Sequence, residues 1–412
     1  MIRSVVLFCV IATARQADGA PVVCRAGEGN FEAAFATGVS VQVGAARQQG
    51  LARRECEAAL VWDKGKTVVA TDSAEIDVDA FGIDLGLGAP VATLQARKTD
   101  AECCMTFQIF SLRRPPKLLR TITGGTYFQT ADRDLDGQIE IWTTDAASVE
   151  GFEPGDIKWS EAAPTIVLRF TRGRLLDVSS EFQRYFDAQI TRLEAELNAD
   201  DLRDFKNSNG RLPHTAYFSQ ADERRGERLA RTKERVVQIV WAYLYSGREE
   251  QAWGALEQMW PAADGERLRA EIVKARGRGI RAQIDGTSTM AAPGSEKHTE
   301  IVDARTLRVA PTPDMKMAGR VPEDKLLNLV RPVPIWVGRL IAQGEPEEAL
   351  ADSGVLVDLV IDAAGKVRAA ESDDPAFDQS LKNSTAEWKF VPAFRDGRPV
   401  ASRIYLIVSA KR

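Results

Sequence analysis

Gly354-Val-Leu-Val-Asp-Leu-Val-Ile-Asp362-Ala-Ala-Gly365-Lys-Val367 opens the stretch whose reading decides the fold of the C-terminal third. Val355, Val357, Leu359 and Ile361 alternate with Leu356, Asp358 and Val360, the period-2 pattern of a strand. Asp362-Ala-Ala-Gly365 is a tight turn in which Gly365 is free to take a positive φ, and Val367 starts the return strand. Asp373-Asp374-Pro375 has the cap and proline chemistry that opens a helix. Phe377, Leu381, Ser384 and Trp388 are expected on one face of that helix. Ile404, Leu406 and Val408 alternate in a last strand, Ser402–Val408.

Hairpin, helix and strand are joined by Glu387-Trp388-Lys-Phe390-Val-Pro392-Ala-Phe394 and by the turn Asp396-Gly397-Arg-Pro399-Val400. In that order the motifs resemble the C-terminal domain of the TonB energy-transducer family, over about residues 320–412. The resemblance implies a sheet-plus-helix module that binds other proteins. Members that transduce energy carry a membrane anchor and a Pro-rich spacer, whereas residues 21–320 here read as globular. What carries over is the binding mode, an exposed sheet edge that accepts an extended peptide or the strand of an envelope protein. The last strand is expected at that edge. Ile404 and Leu406 should face the helix, with Tyr405 and Ile407 outward, so that Ile404, Tyr405, Leu406 and Ile407 form the partner strip. Residues 320–412 are expected to fold alone.

Outward from that module, residues 285–319 are rich in Gly, Ser, Thr, Pro and Lys and read as a linker. Residues 176–284 carry helical periodicity. Phe182, Phe186, Ile190, Leu193 and Leu197 mark one amphipathic helix, and the basic run Arg224–Arg235, interleaved with Glu227 and Glu234, reads as a solvated face. Tyr243, Gly247, Ala252 and Leu256 are spaced in a way similar to a tetratricopeptide helical hairpin, over 236–261. Residues 21–175 read as all-β, with a hairpin at Ala59–Trp62 and Lys66–Ala70 and further short apolar runs between Gly, Pro and Asp clusters. The whole is a multidomain α+β chain: an N-terminal all-β domain, a central helical domain and a C-terminal TonB-like domain.

Asp132-Arg-Asp134-Leu-Asp136-Gly137-Gln138-Ile-Glu140 is the strongest chemical signal. Oxygen donors at alternate positions of a tight loop, with a glycine for the bend, suit a hard cation such as Ca²⁺. Asp132, Asp134 and Asp136 would ligate by side chain, Gln138 by its carbonyl, and Glu140 directly or through water. Position twelve, where an EF-hand needs Glu, is Thr143. With strand-like Ile139–Trp142 behind it, the loop looks instead like the FG-GAP calcium loops of β-propellers.

Residues 1–14 combine one basic residue, an apolar run of about ten residues and Ala12-x-Ala14. That pattern fits a signal peptide within residues 1–20, and the run is shorter than a membrane span. The expected location is periplasmic or secreted, with no membrane span in the mature chain. Beyond Cys9 remain Cys24, Cys56, Cys103 and Cys104, an even number that allows disulfides in three pairings. Adjacent Cys103 and Cys104 are expected to bond more easily to other partners than to each other. A net charge of −5 argues against nucleic acid. The two histidines, His214 and His298, sit outside any catalytic motif, and no nucleophile elbow, Walker loop, dinucleotide fingerprint or zinc-protease motif occurs. The chain therefore reads as a binding protein and not an enzyme.

Overall fold

The computed structural model describes residues 23–46, 54–101, 103–152, 162–210, 220–288, 301–309, 329–341 and 352–411. It is a mixed α+β fold dominated by strands. The leader reading, His214 and His298 lie outside the described residues.

The first sheet is an antiparallel meander in sequence order: Phe31–Ala34, Val39–Ala45, Cys56–Trp62, Gly65–Ile83, Val91–Lys98, Met105–Ser111 and Lys117–Gly125. Cys24–Arg25 adds to Gly65–Ile83. Each strand pairs with the next in sequence, and where the connection is two residues long, as between Trp62 and Gly65, a tight turn makes the hairpin. Trp62 pairs with Gly65 across one such turn, with Asp63 at φ 43°. A second sheet places Glu140–Thr144 between Gln129–Ala131 and Thr165–Thr171, and continues through Arg174–Asp177 to Gly286–Thr287. Helices Gln183–Ala195, Ala199–Lys206, Gln220–Tyr245, Glu249–Met259 and Gly265–Arg276 follow. Gly247, at φ 81°, makes the corner between the two helices of the expected hairpin. The helices have no core to themselves: Phe186, Val240, Trp241 and Ile272 join Phe107, Ile122, Ile141 and Leu168 in one apolar cluster.

The C-terminal sheet runs Val302–Val309, Ser402–Lys411, Asp352–Ile361, Val367–Ser372. Val355, Val357, Leu359, Phe377, Leu381, Trp388, Ile404, Leu406 and Val408 share its core. Asp374 caps the helical turn by accepting the Ala376 N–H at 3.0 Å. The α-helix covers Asp378–Ser384 only, so Trp388 reaches the core from the turn that follows and not from the helix face. Asp396 and Gly397 both take positive φ, 51° and 76°, in the two-residue turn between Ala393–Arg395 and Arg398–Val400.

Three further expectations are corrected. The final strand is not at an edge: Asp352–Ile361 pairs with it along its whole length. Its other side is taken in parallel by Val302–Val309 and by Leu340–Ile341. Ile404 and Leu406 are buried, but Tyr405 pairs with both Asp358 and Leu307, and Ile407 with Leu356 and Val309. The strip read as a partner surface is the interior of a sheet, because the last strand in sequence is not the last in space. The second correction follows from the first. The stretch read as a linker contributes a strand, Val302–Val309, in which Val302 is buried and Ala304 joins the C-terminal core. Third, Cys103 and Cys104 bond to each other, and Cys24 bonds to Cys56. Cys104 takes φ 85°, a left-handed turn that accommodates the adjacent pair, while Cys24 and Cys56 meet in the buried core of the first sheet.

The C-terminal part is anchored to the first sheet by charge. Asp77 and Asp79, both buried on Gly65–Ile83, receive one lysine each. Lys389 Nζ donates to Asp77 Oδ1 at 2.8 Å and Oδ2 at 3.0 Å, and to the Val78 carbonyl. Lys366 Nζ donates to Asp79 Oδ1 at 2.6 Å and to its carbonyl at 3.1 Å. The remaining carboxylate capacity is used by the Tyr127 hydroxyl on Asp77, 2.8 Å, and the Thr130 N–H on Asp79, 2.7 Å. Ala363 and Ala364, in the turn before Lys366, are buried in the main core. Gly365 permits that turn, since a Cβ there would sit 2.0 Å from the Phe390 carbonyl oxygen.

Removing one partner of such a pair strands a buried charge. Lys389→Met is expected to destabilise the chain by about 3–5 kcal/mol, measured by denaturant titration. Arg403→Ala, which breaks the partly exposed pair with Asp358, should cost at most about 1 kcal/mol. Equal effects would show that the Asp77 pair is solvated.

Candidate metal centre

The aspartate loop is a β-hairpin loop. Ala131 pairs with Glu140 and Gln129 with Trp142, so strands and not helices flank it. Leu135 at φ 59° and Gly137 at φ 82° supply its two left-handed residues. Asp132 shapes the bend, accepting the Asp136 N–H on Oδ1 at 3.0 Å and the Gly137 N–H on Oδ2 at 3.1 Å. Asp136 in turn accepts the Gln138 N–H at 2.7 Å and its side-chain amide.

Carboxylate oxygens of Asp132, Asp134 and Asp136 lie within 4.8 Å of one another, with Asp132 buried, Asp136 half-buried and Asp134 exposed. That is the spread expected of a hard-cation site open on one side. Gln138 is exposed. Glu140 is fully buried, and neither of its carboxylate oxygens accepts a hydrogen bond. Arg169 Nη1 lies 3.5 Å from Glu140 Oε1, while Arg169 Nη2 is bound at 2.7 Å to Glu181.

The electrostatics agree with the geometry. Burial first, then the charges of Asp362, Asp134 and Asp136, push Asp132 up to about 8. Asp134 is raised by burial and by Asp136. Burial raises Glu140 well above the carboxylate range; Asp134, Asp132 and Asp136 add to the rise and Arg169 opposes it. The three aspartates thus crowd one small volume, with Glu140 outside that 4.8 Å group but within reach of their charge. Burial together with neighbouring carboxylates disfavours the ionised forms of Asp132, Asp134 and Glu140. A divalent ion reverses that balance by giving each oxygen a positive partner.

Beside the loop lie residues that local spacing does not announce. Asp362, fully buried, accepts the Asp132 N–H on Oδ2 at 3.1 Å. Its Oδ1 accepts the Ala364 and Lys366 N–H groups, each at 2.9 Å. Arg368 Nε lies 2.9 Å from Asp362 Oδ2. Arg133 lies over the Trp142 ring, 3.9 Å from its centroid. The one hint in the sequence was Asp77-Val-Asp79 inside an apolar strand, a pattern that leaves two charges to be paired in the interior.

Among the described residues no helix is long and apolar enough to cross a membrane. The chain matches no family model, and no curated protein or solved structure shows a significant similarity to it.

Glu140 provides a direct check on this geometry. In EDTA, Glu140→Gln is expected to change stability by less than about 1 kcal/mol, because burial already favours the uncharged carboxyl there and the amide is its near isostere. A larger loss, read from the melting temperature in EDTA, would show that the Arg169 pair governs this residue instead.

Proposed function

We propose that the chain is an exported, non-enzymatic binding or scaffold protein of the cell envelope, held in shape by a divalent cation, Ca²⁺, in the loop Asp132–Glu140. The observation that carries this reading is the cluster of Asp132, Asp134 and Asp136 oxygens, supported by Glu140 at the end of the same loop, buried and without a hydrogen-bond donor. Gln138 is proposed to complete the set through its carbonyl. Ca²⁺ suits the loop better than Mg²⁺, which demands a regular octahedron and keeps its waters. The Cys24–Cys56 and Cys103–Cys104 disulfides support an oxidising compartment, periplasmic or secreted. The FG-GAP-like loop, the tetratricopeptide-like hairpin and the TonB-like C-terminal motifs are all of recognition type, which supports binding over catalysis. In this reading 21–175 and 176–284 form the body, and 320–412 is a fixed layer upon it.

A second reading keeps the transport link of the TonB resemblance. It is favoured by one observation, that Val367–Ser372 is the outer strand of the C-terminal sheet opposite Val302–Val309. There a partner strand would add, and not at Ser402–Val408.

Titration calorimetry with CaCl₂ tests the first reading. One ion per chain is expected, with Kd below about 1 mM, a rise in melting temperature by mass action, and at least tenfold weaker binding in Asp134→Asn. Asp134 is chosen because it is exposed. Absence of both heat and thermal shift at 10 mM Ca²⁺ would reduce the loop to a turn shaped by aspartates.

A further inference from the structure

The loop that gathers the carboxylates is also a docking surface for the C-terminal hairpin, and the two roles meet in single residues. Asp132 presents its carboxylate to the cluster while its backbone N–H donates to Asp362 Oδ2 across 3.1 Å. Two residues earlier, the Thr130 N–H holds Asp79, the carboxylate that receives Lys366. Asp362 and Lys366 close the same turn, through the Lys366 N–H on Asp362 Oδ1. Loop 130–140 and turn 362–366 therefore meet directly at Asp132–Asp362 and are bridged a second time by Asp79, which accepts from Thr130 on one side and from Lys366 on the other. If the hairpin lifts away, the Asp132 N–H loses its acceptor on Asp362 and Asp79 loses Lys366, so the strand entering the loop keeps only the Thr130–Asp79 bond.

Charge gives the coupling its sign. Asp362 brings a fourth aspartate to the foot of a cluster that already contains three, with Glu140 buried beside them. Arg368 and Lys366 offset that charge from the hairpin side. With the loop empty, the acidic cluster faces Asp362 with negative charge; a divalent ion on Asp132, Asp134 and Asp136 offsets most of it. We infer that the cation fastens the C-terminal hairpin to the body, so that cation removal loosens residues 362–368 and the strand carrying Lys389. This rests on the cation reading above and adds regulation to it. Linkage makes the effect reciprocal: a hairpin that docks more tightly raises the affinity of the loop.

Hydrogen–deuterium exchange on the full chain, with calorimetry run on the same sample, tests the inference. At free Ca²⁺ ten times Kd, exchange in peptides covering 362–372 and 388–395 is expected to slow about tenfold. Peptides in the distant helix Gly265–Arg276 should change little. In Asp134→Asn the slowing should vanish at the same Ca²⁺ concentration. Lys366→Met should weaken Ca²⁺ binding severalfold although it lies outside the cluster. Heat of binding with unchanged exchange at 362–372 would overturn the coupling while leaving the site intact. Absence of heat would remove the site and the coupling together.

Discussion

Two buried lysine–aspartate pairs carry the arrangement of this molecule. Asp77 and Asp79 project from a strand whose neighbouring residues, Ile76, Val78 and Ala80, are also buried. Carboxylates there are tolerable only with cations and donors around them. Both cations come from about three hundred residues away, Lys366 and Lys389, and both donors from the segment that leads into the aspartate loop, Tyr127 and Thr130. Buried pairs of this kind add little net stability compared with apolar residues of equal size. What they contribute here is alignment: the C-terminal part has one seat on the first sheet in which both charges are met.

That seat explains the position of the acidic loop. Thr130 and Asp132 are held on one side by Asp79 and Asp362, and Glu140 returns from the loop into the second sheet opposite Arg169 and Ala131. The acidic loop is therefore clamped at both ends by different layers of the protein. A cation bound within it would act on the junction between those layers and not on an isolated surface turn.

Much of the local structure was legible in the sequence. Turn chemistry at Asp63–Gly65, Asp362–Gly365 and Asp396–Gly397 marks hairpins because positive φ is encoded by the residues themselves. The alternation through Val355–Ile361 marks a strand for the same local reason, and so do the aspartates at 132, 134 and 136, whose oxygens converge through the geometry of nine consecutive residues. Long-range pairing was not legible. Nothing in Ser402–Val408 distinguishes an edge strand from a central one, because backbone groups look alike in both. The deciding strand, Val302–Val309, lies in a stretch whose composition suggests a linker, although Val302 and Ala304 alternate with Asp303. Asp362 and Arg169 flank the loop from remote segments, so no spacing rule reaches them. Trp388 fell on the expected helix face by period, yet the helix stops at Ser384 and the tryptophan enters the same core from a turn.

The central claim is that the C-terminal strand is an interior layer of a docked sheet and not a free edge awaiting a partner. Amide-resolved hydrogen exchange along Arg403–Val408 tests it most directly, because successive amides of a strand point to opposite neighbours. Flanked by Asp352–Ile361 and Val302–Val309, consecutive amides should all exchange slowly, whichever neighbour they face. Alternating slow and fast amides, with the fast set facing Val302–Val309, would contradict the account and return Ser402–Val408 to the edge of its sheet.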